Sequence, residues 1–245
     1  MTAFTHRTMG TVVSLDLRSP APDGLVARAF ELFDEADARF SPFRADSELS
    51  RLGRGELDEN ELSAELREVL ALGDAFERAS GGAFTLHPAG TLDANGVVKG
   101  WAAQRAAGAL AAGGARDFCL NAGGDLVCRG VPGAGRRWQA GIRHPHDPAR
   151  LLGVIVLDEA AMATSGAYER GAHITDGRSG AAAAHWQSVT VIDRDLSVAD
   201  VLATAVFAMG ADGPTWAHAE FGASVIALDA AGALTVVGSV EWAHD

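Results

Sequence analysis

Four stretches of this 245-residue chain carry residue types suited to phosphate, metal or proton chemistry. The first is LDANGVVKGW, Leu92 to Trp101, where a loop with Asp93 and Gly96 leads toward a helix. The spacing predicts that Lys99 and Gly100 sit in the first turn of that helix, running from about Val98 to Ala112. Helix N-termini offer unpaired amides to an anion, and glycine lets a bulky ligand approach the backbone. A lysine there adds a point charge suited to phosphate. The pattern is neither a P-loop nor GxGxxG, and an ordinary helix start uses the same residues. Lys99 is the only lysine beside nineteen arginines. A drift toward arginine replaces surface lysines freely, whereas a site needing a compact, flexible ammonium resists a planar fork. Chance survival of one surface lysine is the alternative.

The second stretch is SVADVLATAVF, in which Asp200 and Thr204 stand four residues apart. On a helix they share one face among apolar neighbours. An inward carboxylate is costly unless paired or bound to a cation. A carboxylate with a hydroxyl makes a hard-oxygen surface suited to Mg²⁺ rather than Zn²⁺. The plainer reading makes Asp200 a first-turn residue favoured by the helix dipole and Thr204 a packed core residue.

In ATSGAYERGAHITDGRSG, turn signals flank a short strand at 173–175, and His173 is a candidate general base at neutral pH. A structural histidine is the competing reading. Ser165 lies in TSGA and not GxSxG, so acyl transfer has no support. His144 and His146 in RHPHDP suit either a metal clip or a solvated turn. In NAGGD, Asn121 to Asp125, two glycines bring the backbone close to a ligand or simply form a tight hairpin turn.

Alternating residues predict a strand at Thr11 to Leu17, and a helix follows Pro22 and Asp23. A short helix is expected in FSPFRADSELSRLG. Ser63 caps a longer one with inner face Leu66, Val69, Leu70, Gly73 and Phe76. Strands follow: Phe118 to Asn121, Leu126 to Arg129, Trp138 to Arg143, Leu151 to Leu157 and Gln187 to Ile192. A helix capped by Ser197 runs to Met209, and a hairpin closes the chain. This mixture lacks βαβ alternation, so an α+β fold with largely antiparallel sheet is expected, as one domain over 1–245.

Composition limits the partners. Twenty basic and 32 acidic residues give a net charge of −12. Such a surface repels phosphate backbones and anionic lipid, so neither nucleic acid nor membrane insertion is expected. The apolar run Val201 to Ala211 reads as a buried helix. MTAFTHRTMGTVVSLDL lacks the features of a signal peptide, so a cytoplasmic address is expected of the chain as written. Cys119 and Cys128 are read as two small buried thiols in a reducing compartment.

The order of the motifs is more specific than any one of them. MGT at 9–11, FSPFRADSELSRLG at 40–53, GGAF at 81–84, LDANGVVKGWAA at 92–103 and NAGGDL at 121–126 are followed by GIRHP, ATSGAYER, HITDGRSG, SVTVI and ADVLATAVFAMG. This run resembles the ApbE family, flavin transferases that attach FMN from FAD to proteins. The resemblance implies an α+β fold of two T-fold-like halves, with FAD between them beside Mg²⁺. It implies transfer of FMN onto a Thr or Ser hydroxyl of a target flavoprotein, with release of AMP. By resemblance, Asp93 and Lys99 contact FAD, while the Gly96 carbonyl, Asp200 and Thr204 hold the metal. Met9 and Phe43 lie along the flavin or adenine, Ala183 makes a backbone contact to FAD, and His173 is the base. An FAD pyrophosphatase and a non-catalytic FAD-binding protein are the alternatives.

Overall fold

Alternating side chains fold Thr2–Thr8 (β1) and Thr11–Leu17 (β2) into a hairpin whose second strand turns Val13, Leu15 and Leu17 inward. These strands open the computed structural model, which describes residues 2–166 and 174–243. They are followed by Phe118–Ala122 (β3), Asp125–Arg129 (β4), Trp138–His144 (β5) and Asp147–Leu157 (β6). Ala161–Gly166 (β7), Trp186–Asp193 (β8), Ser224–Asp229 (β9) and Leu234–Val237 (β10) complete the strands. Eight pair in the order β1-β2-β3-β4-β7-β8-β9-β10, and β5 pairs with β6 alone. Every described pairing between these strands is antiparallel.

Helices Leu25–Phe40 (α1), Ala64–Ala79 (α3), Asn95–Ala112 (α4) and Leu196–Met209 (α5) cover one face of the large sheet. Their apolar residues join Leu15, Leu120, Val127, Ala163, Val191 and Val225 in the main core. Short helices Glu48–Gly53 (α2) and Gly213–Phe221 (α6) complete the α-helical set among the described residues. The opposite face is covered by β5 and β6, where Trp138, Ile142 and Ile155 pack on Cys128, Met162 and Ile226. Period-two alternation makes both cores possible, since neighbouring residues of one strand serve opposite faces. The run Leu196–Phe221 is apolar enough by composition to cross a membrane, yet its most apolar part is mostly buried in the protein. It also breaks at Gly210, whose φ is 75°.

The expected strands and long helices recur within a few residues, with four informative differences. Helix α4 begins at Asn95, so Gly96 lies in its first turn and Lys99 in its second. The cap of α5 is Asp195, whose carboxylate accepts from the Ser197 amide, and not Ser197 itself. Strands β1 and β7 and helix α6 were not anticipated. Of the strand expected at 173–175, the described part, 174–175, forms only an isolated bridge from Thr175 to Ala182.

Candidate functional site

The α4–α5 seam forms the floor of a cavity, and glycine makes the close approach possible. A Cβ on Gly100 would stand 2.6 Å from both the Asp200 Cβ and the Leu196 carbonyl oxygen. One turn away, a Cβ on Gly96 would stand 3.8 Å from Thr204 Cγ2. The two helices therefore match Gly96 with Thr204 and Gly100 with Asp200. The Gly100 amide donates to Asp200 Oδ2 at 2.8 Å. Gly96 also lines the cavity, and a helix carbonyl has a second lone pair for another partner.

Above this seam lies a cavity of about 860 Å³. Phe40, Phe84, Val98 and Ile174 give it apolar walls, and Met9, Phe43, Asp93, Gly96, Lys99, Asp200 and Thr204 all line it. Thus seven of the residues singled out from sequence converge on one space. Met9 reaches it from the two-residue turn between β1 and β2, at a left-handed φ of 51° beside Gly10 at 69°. Both positive values match a type I′ turn, and a side chain held there carries strain. Phe43 is 93% exposed at the mouth, a free aromatic face for a planar ring. The Asp93 carboxylate accepts from the Asn95 amide at 2.8 Å and so braces the start of α4.

Lys99 occupies the centre of the charge pattern. Its ammonium is 3.0 Å from Asp200 Oδ1 and also pairs with Asp125 Oδ2. Both carboxylates are buried, with Asp125 2% and Asp200 6% exposed. Asp125 Oδ1 accepts from the Thr164 amide at 3.0 Å. Spacing alone does not single out Asp125, because NAGGD reads equally as a ligand-facing loop and as a turn. The structure shows it as both, for Gly123 and Gly124 make the turn and Asp125 points into the cavity. Thr204 Oγ1 lies 3.2 Å from Ser165 Oγ, so two hydroxyls face the same floor.

Two sequence-derived residues are not among these seven. Ala183 does not line the cavity, and its amide donates to the Ile174 carbonyl at 2.9 Å. His173 lies outside the described residues. The described residues that precede and follow that segment, Gly166 and Ile174, both line the cavity. His144 and His146 lie at the β5–β6 turn, away from the cavity lining. The two cysteines face each other across β3 and β4 with their sulfurs 3.0 Å apart.

The described lining carries four carboxylates, Asp37, Asp93, Asp125 and Asp200, against one cation, Lys99. Its formal charge is 1 − 4 = −3. A diphosphate entering such a space is repelled unless positive charge enters with it. The donor set at the seam is a carboxylate, a hydroxyl and a carbonyl, all hard oxygens. That set suits Mg²⁺, which uses few protein ligands and completes its shell with water and phosphate. Among the described residues, no three His, Cys, Asp or Glu gather as a site for a softer metal.

Comparison with known proteins agrees with this geometry. The model of the ApbE family matches residues 9–90 and 85–227. A protein from Rhodobacter capsulatus named FAD:protein FMN transferase is 34% identical over 132 residues, 51% of this chain and 25% of the relative. One of the same name from Vibrio cholerae is 30% identical over 129 residues, 49% of this chain and 39% of the relative. The matches thus span well under half the length of these curated relatives. Among solved structures, the flavin transferase ApbE from Vibrio cholerae superposes with a TM-score of 0.84 at 23% identity, covering 97% of this chain and 96% of that one. The apbe protein from Thermotoga maritima gives 0.86 at 22% identity, covering 96% of each. These likenesses bear out the α+β fold.

Proposed function

Because the chain belongs to the ApbE family, we propose that it is a Mg²⁺-dependent FAD:protein FMN transferase. It would move FMN from FAD onto a Thr or Ser hydroxyl of a target flavoprotein and release AMP. The observation that carries this reading is the cavity floor, where one ammonium faces two buried carboxylates at a glycine-lined helix seam. A pure flavin-binding pocket has no need of that arrangement.

The residues divide the work by their chemistry. Phe43 and Met9 at the mouth offer flat and polarisable surfaces to a ring system. Lys99 presents a compact charge to the diphosphate, where negative charge grows during phosphoryl transfer. Asp200, Thr204 and the Gly96 carbonyl would hold Mg²⁺, and the bound ion supplies charge neutralisation at the diphosphate. His173 takes the proton from the acceptor hydroxyl. The hydroxyl oxygen then bonds to the FMN phosphorus, and the bond from that phosphorus to the bridging oxygen breaks, releasing AMP with the electron pair. Thr164 and Ser165 line the same floor and give the incoming hydroxyl polar surroundings.

Release of AMP from FAD tests the reading, measured by chromatography in the presence of Mg²⁺ with and without a Thr-bearing flavoprotein acceptor. AMP that appears only with the acceptor supports transfer. Equal AMP without acceptor shows hydrolysis to FMN and AMP, and bound FAD without AMP in either case shows a binding protein.

A further inference from the structure

The carboxylate of Asp125 lies outside the proposed Mg²⁺ donor set, yet it is among the most enclosed charged groups in the protein. It is 2% exposed, with Oδ1 fixed by the Thr164 amide and Oδ2 against the Lys99 ammonium. Strand pairing fixes its backbone too, since Asp125 opposes Ala122 immediately after the two-glycine turn. Asp200 Oδ2 is likewise held by the Gly100 amide, which leaves Oδ1 facing Lys99. The ammonium therefore shares two carboxylates, and one of them must be given up before a divalent cation can take it.

We propose that Asp125 is a positioning residue: it retains the Lys99 ammonium when the Asp200 carboxylate is surrendered to a divalent cation. This inference rests on the Mg²⁺-dependent reading above. Buried charge is tolerated only when paired, and removing one partner is far more costly than exchanging it. With Asp125 in place, Lys99 swings on its flexible stem toward a carboxylate that does not move. Without Asp125, the only carboxylate within reach of Lys99 in the described site is Asp200, and ammonium and Mg²⁺ compete for one oxygen. The formal charge of the trio is 1 − 2 = −1, so a divalent ion turns it to +1 before a diphosphate arrives.

The test is a cycle of four proteins: the parent, Asp125→Asn, Lys99→Met and the double variant. Each is titrated with Mg²⁺ alone by calorimetry, a readout independent of turnover. Asparagine keeps an acceptor for Thr164, and Asp125→Ser replaces it in the cycle if Asp125→Asn fails to fold. Removing Lys99 should raise Mg²⁺ affinity in both backgrounds, but by about tenfold or more beyond the parent's gain in Asp125→Asn, where competition is direct. An equal gain in both backgrounds would mean that Asp125 acts by bulk charge alone, and would overturn the inference. A larger gain in the parent would make Asp125 a direct cation ligand, which also overturns it. No Mg²⁺ binding by the parent would defeat the divalent reading itself, and this inference with it.

Discussion

Substituting Gly100 by alanine probes the helix seam on which the whole site depends. The added Cβ would meet the Asp200 Cβ and the Leu196 carbonyl at 2.6 Å, and Asp200 Oδ2 at 3.0 Å. The carbonyl belongs to the backbone and the Cβ cannot rotate away, so α4 and α5 must separate. Ordinary van der Waals contact begins near 3.4 Å, which asks for a shift of about 3.4 − 2.6 = 0.8 Å in a close-packed core. Overpacking of this kind costs about 1–3 kcal/mol. Alanine returns about 1 kcal/mol through its helix propensity. The net is a loss of up to about 2 kcal/mol, or up to about 4–8 °C in Tm for a chain of this size. Gly108, in the same helix, has nothing within 4 Å of its would-be Cβ. Gly108→Ala should therefore stabilise by up to about 1 kcal/mol, isolating the packing effect. Calorimetric melting of both variants, with and without Mg²⁺, is the assay. The shifted Asp200 carboxylate should also weaken the Mg²⁺ response in Gly100→Ala alone. A Gly100→Ala protein as stable as Gly108→Ala, with the parent's Mg²⁺ response, would refute the reasoning.

Other consequences follow from the same contacts. Lys99→Arg places a planar fork where a point charge serves two carboxylates, so turnover should fall about tenfold or more at saturating FAD, and parental rates would contradict the geometry. Asp200→Asn should abolish the Mg²⁺-dependent rise in Tm and Mg²⁺-dependent AMP release while leaving far-UV circular dichroism unchanged. His173→Ala should bind FAD normally by flavin fluorescence yet lose transfer, and a normal rate would remove it as the base. The Cys128 thiol is pushed up by its hydrogen bond with Cys119 and by burial. A raised pKa favours the protonated fold, so that stabilisation is complete below the ordinary thiol pKa of about 8.5 and fades as pH rises beyond it. Melting between about pH 8 and 10 should show a steeper loss in the parent than in Cys128→Ala, and equal slopes would contradict the assignment.

The legible part of the site was the part encoded in spacing. Asp200 and Thr204 on one helix face, and Lys99 with Gly100 near a helix start, are local patterns that a sequence displays directly, whereas Gly96, Met9 and Phe43 came from the order of the family's motifs. What spacing does not display is that the two helices meet, because that contact joins residues about a hundred positions apart. The one-lysine count found Lys99, but nothing local tied it to Asp125, since a two-glycine turn explains NAGGD without any ligand. Strand β1 escaped notice because TAFTHRT holds few apolar residues, and its partner β2 supplies the pairing. Strand β7 was hidden by TSG, a turn signal overridden by ladders to β4 and β8. The start of α4 moved upstream because Asp93 braces the Asn95 amide, so propensity alone placed the boundary too late.

Transfer of FMN to a protein hydroxyl is tested most directly by the intact mass of a purified acceptor flavoprotein after incubation with this chain, FAD and Mg²⁺. The account predicts a gain of one FMN less water at a single Thr or Ser, matched by one AMP per acceptor and abolished by chelating the metal. An acceptor of unchanged mass while AMP accumulates would contradict it.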